Sequence, residues 1–160
     1  MLSDAFIRKA DALSPLTDGE KDAVEGLFGF VRNVPRKRDI TSEGRAPARV
    51  QILLSGWAAR HSILRDGSRR ITGFLLPGDI CAIEATAFPE MDHSISALTH
   101  SRVAEVDKER FDSIIRASPA LTLALWHMTL VEKAIMHQWL VGGRREAKEA
   151  LAHLLCELHV

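Results

Sequence analysis

The sequence predicts an α+β domain: a double-sheet jelly roll or barrel, with helices before it and a long helix after it. Three observations carry this. From Phe30 to Val106, short apolar stretches are broken at close intervals by Gly, Pro, Asp and Ser, as in antiparallel strands joined by tight turns. On both sides of that region, apolar residues recur at helical spacing. At 160 residues with 46% hydrophobic side chains, the chain can build one core, and a domain of this size buries roughly 70% of its unfolded surface.

The first helix is marked by Phe6, Ala10 and Leu13 at i, i+4, i+7, with Ser3 placed to cap it. Thr17-Asp18-Gly19-Glu20 marks a second. A Thr17 hydroxyl can accept from the amide three residues on while Glu20 reaches back, and Ala23, Val24, Leu27 and Phe28 follow as its buried stripe. Strands follow. Residues 50–54 run into Ser55-Gly56, and residues 57–64 and 69–76 flank Asp66-Gly67, a hairpin signal because both residues tolerate positive φ. Pro77-Gly78-Asp79 makes another turn, and residues 93–98 and 102–106 complete the strands around Thr99-His100-Ser101.

Helical spacing returns at Asp107, a good N-cap, with Phe111, Ile114 and Ile115 as the buried face. Ser118-Pro119 opens a longer helix to about Val141, with Pro at the first helical position, where its missing N–H costs nothing. Leu121, Ala124, Met128, Val131 and Ile135 alternate at spacings of three and four, a coiled-coil-like seam. Leu123, Trp126, Leu130, Ala134 and Trp139 make the same helix apolar elsewhere, so it needs cover on more than one side. One face can pack on the strands; the seam is assigned to a second copy of the chain. Gly142-Gly143 interrupts or bends this helix, and residues 144–160 read as another amphipathic helix carrying Leu151, Leu154, Leu155 and Leu158. The chain ends with that stripe uncovered.

Composition excludes several classes. Lys plus Arg and Asp plus Glu are both 21, for a net charge of +0, whereas a domain gripping DNA by itself carries a basic excess. Cys81 and Cys156 make no disulfide framework and read as small packing residues. Charged residues at 4, 8, 9 and 11 interrupt any signal-peptide core, and no window has the apolar length of a membrane span. A cytoplasmic location is expected.

Ser14-Pro15-Leu16, Glu43-Gly44, Leu54-Ser55-Gly56, Arg65-Asp66-Gly67 and Phe74-Leu75-Leu76-Pro77-Gly78-Asp79 are individually weak signals. Their order and spacing resemble the sensor domain of Crp/Fnr-type transcription regulators. PGDICAIE, MDHSISALT and RRxAxxxLAHLLCEL look like a subgroup of that family. The resemblance implies a double-stranded β-helix (jelly-roll) domain related to cyclic-nucleotide-binding domains, with N-terminal helices and a long C-terminal dimerisation helix. It places a sensor in residues 1–118 and a dimerisation helix plus a following helix in 119–160, leading toward a helix-turn-helix domain absent from this chain.

In cyclic-AMP-binding members a Gly-Glu pair contacts the ribose and an Arg-Ser-Ala triplet the cyclic phosphate. Here Ile83-Glu84 stands at the first position and Met91-Asp92-His93 at the second. The Glu is kept, the small residue and the phosphate Arg are lost, and an aspartate stands near the anion. Ile135 and Met136 replace hydroxyl side chains at the adenine end. The ligand-contact candidates are Glu84, Ile83, Ala85, Asp92 and His93, with Glu84 equally readable as a turn residue and Asp92-His93 as a local loop pair. The expected interface of a homodimer is Leu121, Ala124, Met128, Val131 and Ile135. The effector stays unidentified, and cyclic AMP is disfavoured.

Other chemistries lack their residues. An iron–sulfur sensor needs about four cysteines, and there are two, far apart. No haem-attachment motif occurs, and His127 and His137 lack ligand spacing, reading as surface or interface histidines. No catalytic motif is present. A cupin-like metal enzyme needs clustered ligands, where only His61 and His93 lie on strands. Two readings therefore stand: the sensory and dimerisation part of a regulator that touches DNA only through another domain, or a stand-alone module binding a small ligand or a protein partner.

Overall fold

The computed structural model describes residues 4–142 and 147–158, which places Ser3 and residues 143–146 outside the described residues. Helices α1 (Asp4–Leu13) and α2 (Asp18–Glu25) precede seven strands: β1 (Val31–Val34), β2 (Asp39–Thr41), β3 (Arg49–Ser55), β4 (Ala58–Ile63), β5 (Arg69–Leu75), β6 (Ser94–Ala97) and β7 (Ser101–Asp107). A 3-10 turn, Ile83–Thr86, lies between β5 and β6. Helices α3 (Lys108–Ala117), α4 (Pro119–Gly142) and α5 (Ala147–Leu158) follow. The strands form two antiparallel sheets, β1-β7-β3 and β2-β6-β4-β5. This is the jelly roll the turn pattern predicts.

Side-chain alternation along β3 and β7 explains the two cores. Leu53 and Val103, paired across the sheet, point between the sheets with Val34, Ile40, Leu75, Cys81 and Ile95. Their neighbours Ile52 and Ala104, also paired, point outward under the helices, with Phe6, Val24, Phe111, Leu121 and Ala124. A strand pair buried on both faces reads as a continuous apolar run, as Ile52-Leu53-Leu54 does.

Turn chemistry locks the layers together. In the Pro77-Gly78-Asp79 turn, Gly78 has φ +94, and an added Cβ would stand 2.7 Å from the Ala5 carbonyl oxygen on α1. Asp79 accepts the Leu76 amide at 2.7 Å and the Lys9 ammonium of α1 at 2.8 Å. The Gly78 amide donates to the Leu53 carbonyl at 2.7 Å. That motif therefore stitches α1, β3 and β5. In the β4–β5 hairpin only Gly67 takes positive φ (+82), and the Gly67 amide donates to the Leu64 carbonyl. The loop is thus an ordinary four-residue turn, Leu64 to Gly67, whose last residue is the left-handed glycine, not a two-residue turn with both residues inverted.

The capping box forms, with the Glu20 carboxylate on the Thr17 amide at 2.8 Å. Helix α2 ends at Glu25, however, so Leu27 and Phe28 are buried from the turn beyond it, and Ala23 is exposed. Cys81 is buried in a bend rather than a strand, and Cys156 is exposed, contrary to a packing role. Burial pushes the Cys81 thiol up to about 12, which keeps it protonated and unreactive.

Helix α4 corrects the predicted interface. Leu121 and Ala124 are 1% and 0% exposed inside the chain's own core, and Met128 packs against that core. Leu121 and Ala124 are spent on the domain and cannot meet a second copy, whereas Met128 is only partly buried. Val131 and Ile135 line a cavity, and Val131 is also the one of the five that is largely exposed. The uncovered surface is the opposite stripe: Leu123, Trp126, Leu130 and Leu140. Helix α5 leaves Leu151 and Leu155 exposed and Leu154 and Leu158 half-buried. No single helix among the described residues is long and apolar enough to cross a membrane.

Candidate functional site

A cavity of about 310 Å³ lies between α1, the β4–β5 hairpin, the Pro-Gly-Asp turn and α4. Lys9 and Leu13 come from α1, Arg60 from β4, Thr72, Phe74 and Leu75 from β5, and Met128, Glu132, Ile135 and Met136 from α4. Trp139 closes over β5 with its ring 5.6 Å from that of Phe74. Leu158 of α5 reaches the same cavity. Its wall is largely apolar because α4 presents side chains three and four apart to the hairpin, with a carboxylate among them.

The polar content is organised around Arg60. Residues 58–61 of β4 are all buried, and the register against β5 shifts between Arg60 and His61, interrupting the usual alternation. The Arg60 guanidinium forms an ion pair with Glu132 and donates from Nε to His93 Nε2 at 3.0 Å. His93 Nδ1 lies 2.6 Å from Asp92 Oδ1. Guanidinium can only donate, so Nε2 must be the bare nitrogen and Nδ1 must carry the proton that Asp92 accepts. His93 is therefore neutral in this arrangement. A chain of polar contacts runs from the surface loop (Asp92), through the roll (His93, Arg60), to the long helix (Glu132).

Beside it, His61 Nε2 is hydrogen-bonded to Ser96 Oγ at 2.6 Å, and Arg69 donates to the same oxygen at 2.8 Å. Burial first, then the Arg69 charge, lowers the His61 pKa below its ordinary value of 6.5. His61 Nδ1, Gln51 Oε1 and Glu84 Oε2 are buried with no hydrogen-bond partner.

The predicted contact residues separate. Ile83 lines the cavity. His93 reaches it only through Arg60, and Asp92 is a solvent-exposed carboxylate orienting His93. Met91, at the place of the family's phosphate arginine, is buried against Ala82 and offers no charge. Glu84 does not line the cavity; its carbonyl holds the 3-10 turn by accepting the Ala87 and Phe88 amides, while Oε2 is left unsatisfied. The Ala85 side chain lies outside the described residues. Ile135 and Met136 do line the cavity, where the resemblance places the adenine end. Arg60 and Glu132 went unpredicted, although an arginine inside a strand after two alanines breaks the apolar run and is a readable signal. No group of three metal-ligating side chains occurs among the described residues.

Comparison with known proteins agrees with this architecture. The profile of the family described as "Cyclic nucleotide-binding domain" matches residues 31–118. The transcriptional activatory protein AadR of Rhodopseudomonas palustris is 30% identical, over 88% of this chain and 58% of its own length. The nitrogen fixation regulation protein FixK of Azorhizobium caulinodans is 26% identical, over 77% of this chain and 49% of its own. Among solved structures, FixK2 from Bradyrhizobium japonicum superposes with a TM-score of 0.69 at 26% identity, covering 80% of this chain and 64% of that one. The Thermus thermophilus catabolite activator protein superposes at 0.68 with 18% identity, covering 84% and 63%, a likeness of fold alone. The chain spans about half the length of the curated relatives it matches.

Proposed function

The chain belongs to the cyclic nucleotide-binding domain family, and from that premise we propose that it is the sensory and dimerisation module of a Crp/Fnr-type transcription regulator. The observation that carries this is the double use of α4. Its inner face walls the cavity through Met128, Glu132, Ile135 and Met136, while its outer face leaves Leu123, Trp126, Leu130 and Leu140 uncovered. A ligand under such a helix bears on the surface available to a second copy. Exposed apolar stripes of this kind mark interaction sites.

Residues 1–118 act as the sensor and 119–160 as the dimerisation part. That division is functional, because Leu121, Ala124 and Leu125 share the core of α1 and α3. DNA is contacted only through a further part of the regulator, in keeping with the net charge of +0 and the absence of a basic excess. The work is done in the cytoplasm, where DNA is. Cyclic AMP is not the effector: the phosphate position is the buried, uncharged Met91, and Glu84 stands outside the cavity wall.

Sedimentation velocity at micromolar concentration is expected to show a dimer. A monomer throughout that range overturns the dimerisation reading. Titration calorimetry with cyclic AMP and cyclic GMP is expected to give no low-micromolar binding, and such binding overturns the effector argument.

A further inference from the structure

Resting on the reading of this chain as a sensory module, we propose that the cavity under α4 takes an apolar monocarboxylate whose head group replaces Glu132 on the Arg60 guanidinium.

The two halves of the ion pair are unequal. The Arg60 side chain is 6% exposed and built into the middle of β4, whereas Glu132 is 35% exposed on one face of a helix. Glu132 can turn to water; Arg60 cannot. His93 offers Arg60 an acceptor but, being neutral, no charge. A buried guanidinium left without an anion is costly, so an incoming carboxylate is favoured wherever Glu132 gives way. The second cation on the wall, Lys9, is already held by Asp79, and Asp79 is fixed in turn by the Leu76 amide. That pair is part of the turn and is not free to exchange.

The remaining wall specifies the body of the ligand. Phe74, Leu75, Ile83, Met128, Ile135 and Met136 are apolar. The two hydroxyls present are already donating, Thr72 to the Arg60 carbonyl and Thr129 to the Leu125 carbonyl. Sugar hydroxyls or base edges would be buried there with few partners, which penalises a nucleotide. A volume of about 310 Å³ corresponds to roughly ten waters at about 30 Å³ each. Octanoate and 3-phenylpropanoate are of that size. Glu132 lies on the helix whose other face is uncovered, so displacing it acts on the element that would carry the signal.

The test is titration calorimetry on the whole 160-residue chain with octanoate, its neutral isostere octanamide, and cyclic AMP. A charge-assisted hydrogen bond to Arg60 is expected to make octanoate about 10- to 100-fold tighter than octanamide. Glu132→Gln removes the competing anion and is expected to tighten octanoate about tenfold while leaving octanamide unchanged. Arg60→Gln is expected to abolish the preference, and the Glu132 variant keeps the test valid if Arg60→Gln does not fold. Equal affinity for octanoate and octanamide, weaker octanoate binding by Glu132→Gln, tighter binding of cyclic AMP than of octanoate, or no heat with any carboxylate overturns the proposal. Sedimentation of the same samples separates the two levels. A dimer without carboxylate preference removes the ligand class alone, whereas a monomer removes the module reading beneath it.

Discussion

The two faces of α4 are alike in composition and opposite in fate. Leu121, Ala124 and Leu125 on one side are sealed into the core beneath α1 and α3, while Leu123 and Trp126, two residues or fewer away, are 47% and 60% exposed. Hydrophobicity therefore does not choose the face that packs. Polar fastening does. At the start of α4, Ser118 Oγ accepts the Leu121 amide at 2.9 Å and donates to the Glu20 carboxylate on α2, while the Thr122 hydroxyl donates back to the Ile115 carbonyl at 2.8 Å. Further along, His127 Nδ1 lies 3.2 Å from the Leu13 carbonyl, and Glu132 pairs with Arg60. Each fastening turns the same side of the helix toward the domain, and the apolar remainder is left for another surface.

Truncation on the sealed face should have the largest effect. Leu121→Ala opens a cavity in a well-packed core and is expected to cost about 2–5 kcal/mol in urea unfolding. Leu123→Ala, two residues on, should change the unfolding of the isolated subunit by no more than about 0.5 kcal/mol. Equal losses at the two positions would break the distinction between the faces. The uncovered face is probed by Leu123→Glu with Leu130→Glu. The pair is expected to turn the proposed dimer into a monomer in sedimentation velocity while the far-ultraviolet dichroism stays native, because charges would be buried opposite their own copies. A double variant that still sediments as a dimer would place the interface elsewhere.

Much of this was legible from residue order, and the illegible part has a physical cause. Strands and turns announce themselves locally: Gly67 and Gly78 sit where positive φ is needed, and Thr17 with Glu20 forms a cap from four consecutive residues. The choice between α4's faces is not local. The seam Leu121, Ala124, Met128 has the spacing of an interhelical contact, but its partners are α1, α3 and the strands, reached through Ser118–Glu20 across 98 residues. Arg60 and Glu132 escaped for the same reason, since a lone arginine in β4 and a glutamate on α4 gain meaning only once the fold brings them together. Glu84, by contrast, reads from its motif either as a polar contact or as a turn residue, and residue order alone does not choose between them. In the structure its backbone holds a turn and its carboxylate stands outside the cavity wall.

A smaller effect follows from the fastening at the start of α4. Ser118→Ala removes both the cap on the Leu121 amide and the donor to Glu20, and is expected to cost about 0.5–2 kcal/mol. The loss should be matched by faster hydrogen exchange in the first turn of α4 and not in α5. Exchange unchanged at residues 121 and 122 would show that packing alone seats the sealed face.

The smallest effect is a pH dependence from Glu20. Its carboxylate accepts from the Ser118 hydroxyl, from the Thr17 amide at 2.8 Å and from the Thr17 hydroxyl at 2.8 Å. These bonds favour the charged form, the Ser118 bond most, and hold the pKa below the ordinary 4.5. In the unfolded chain the bonds are gone and the carboxyl takes up its proton at the ordinary value. The stabilisation is therefore fully present above pH 4.5 and is lost as pH falls through the lower folded value. His61 acts in another window, because its lowered pKa makes the unfolded chain bind the extra proton just below 6.5. Glu20→Gln should remove the Glu20 share of the acid-side component and leave the one near 6.5 intact. The shares of Asp11, Asp66 and Asp107, whose carboxyls are also held below their ordinary values by hydrogen bonds, should remain. Subtracting the urea midpoints of Ser118→Ala and Glu20→Gln from wild type between pH 7 and 3 isolates the Glu20 share. Both differences should shrink toward the acid end, because protonation there removes from wild type what each variant already lacks. A difference that stays constant across that range would mean that the Glu20 carboxylate does not hold α4 in place through its charge.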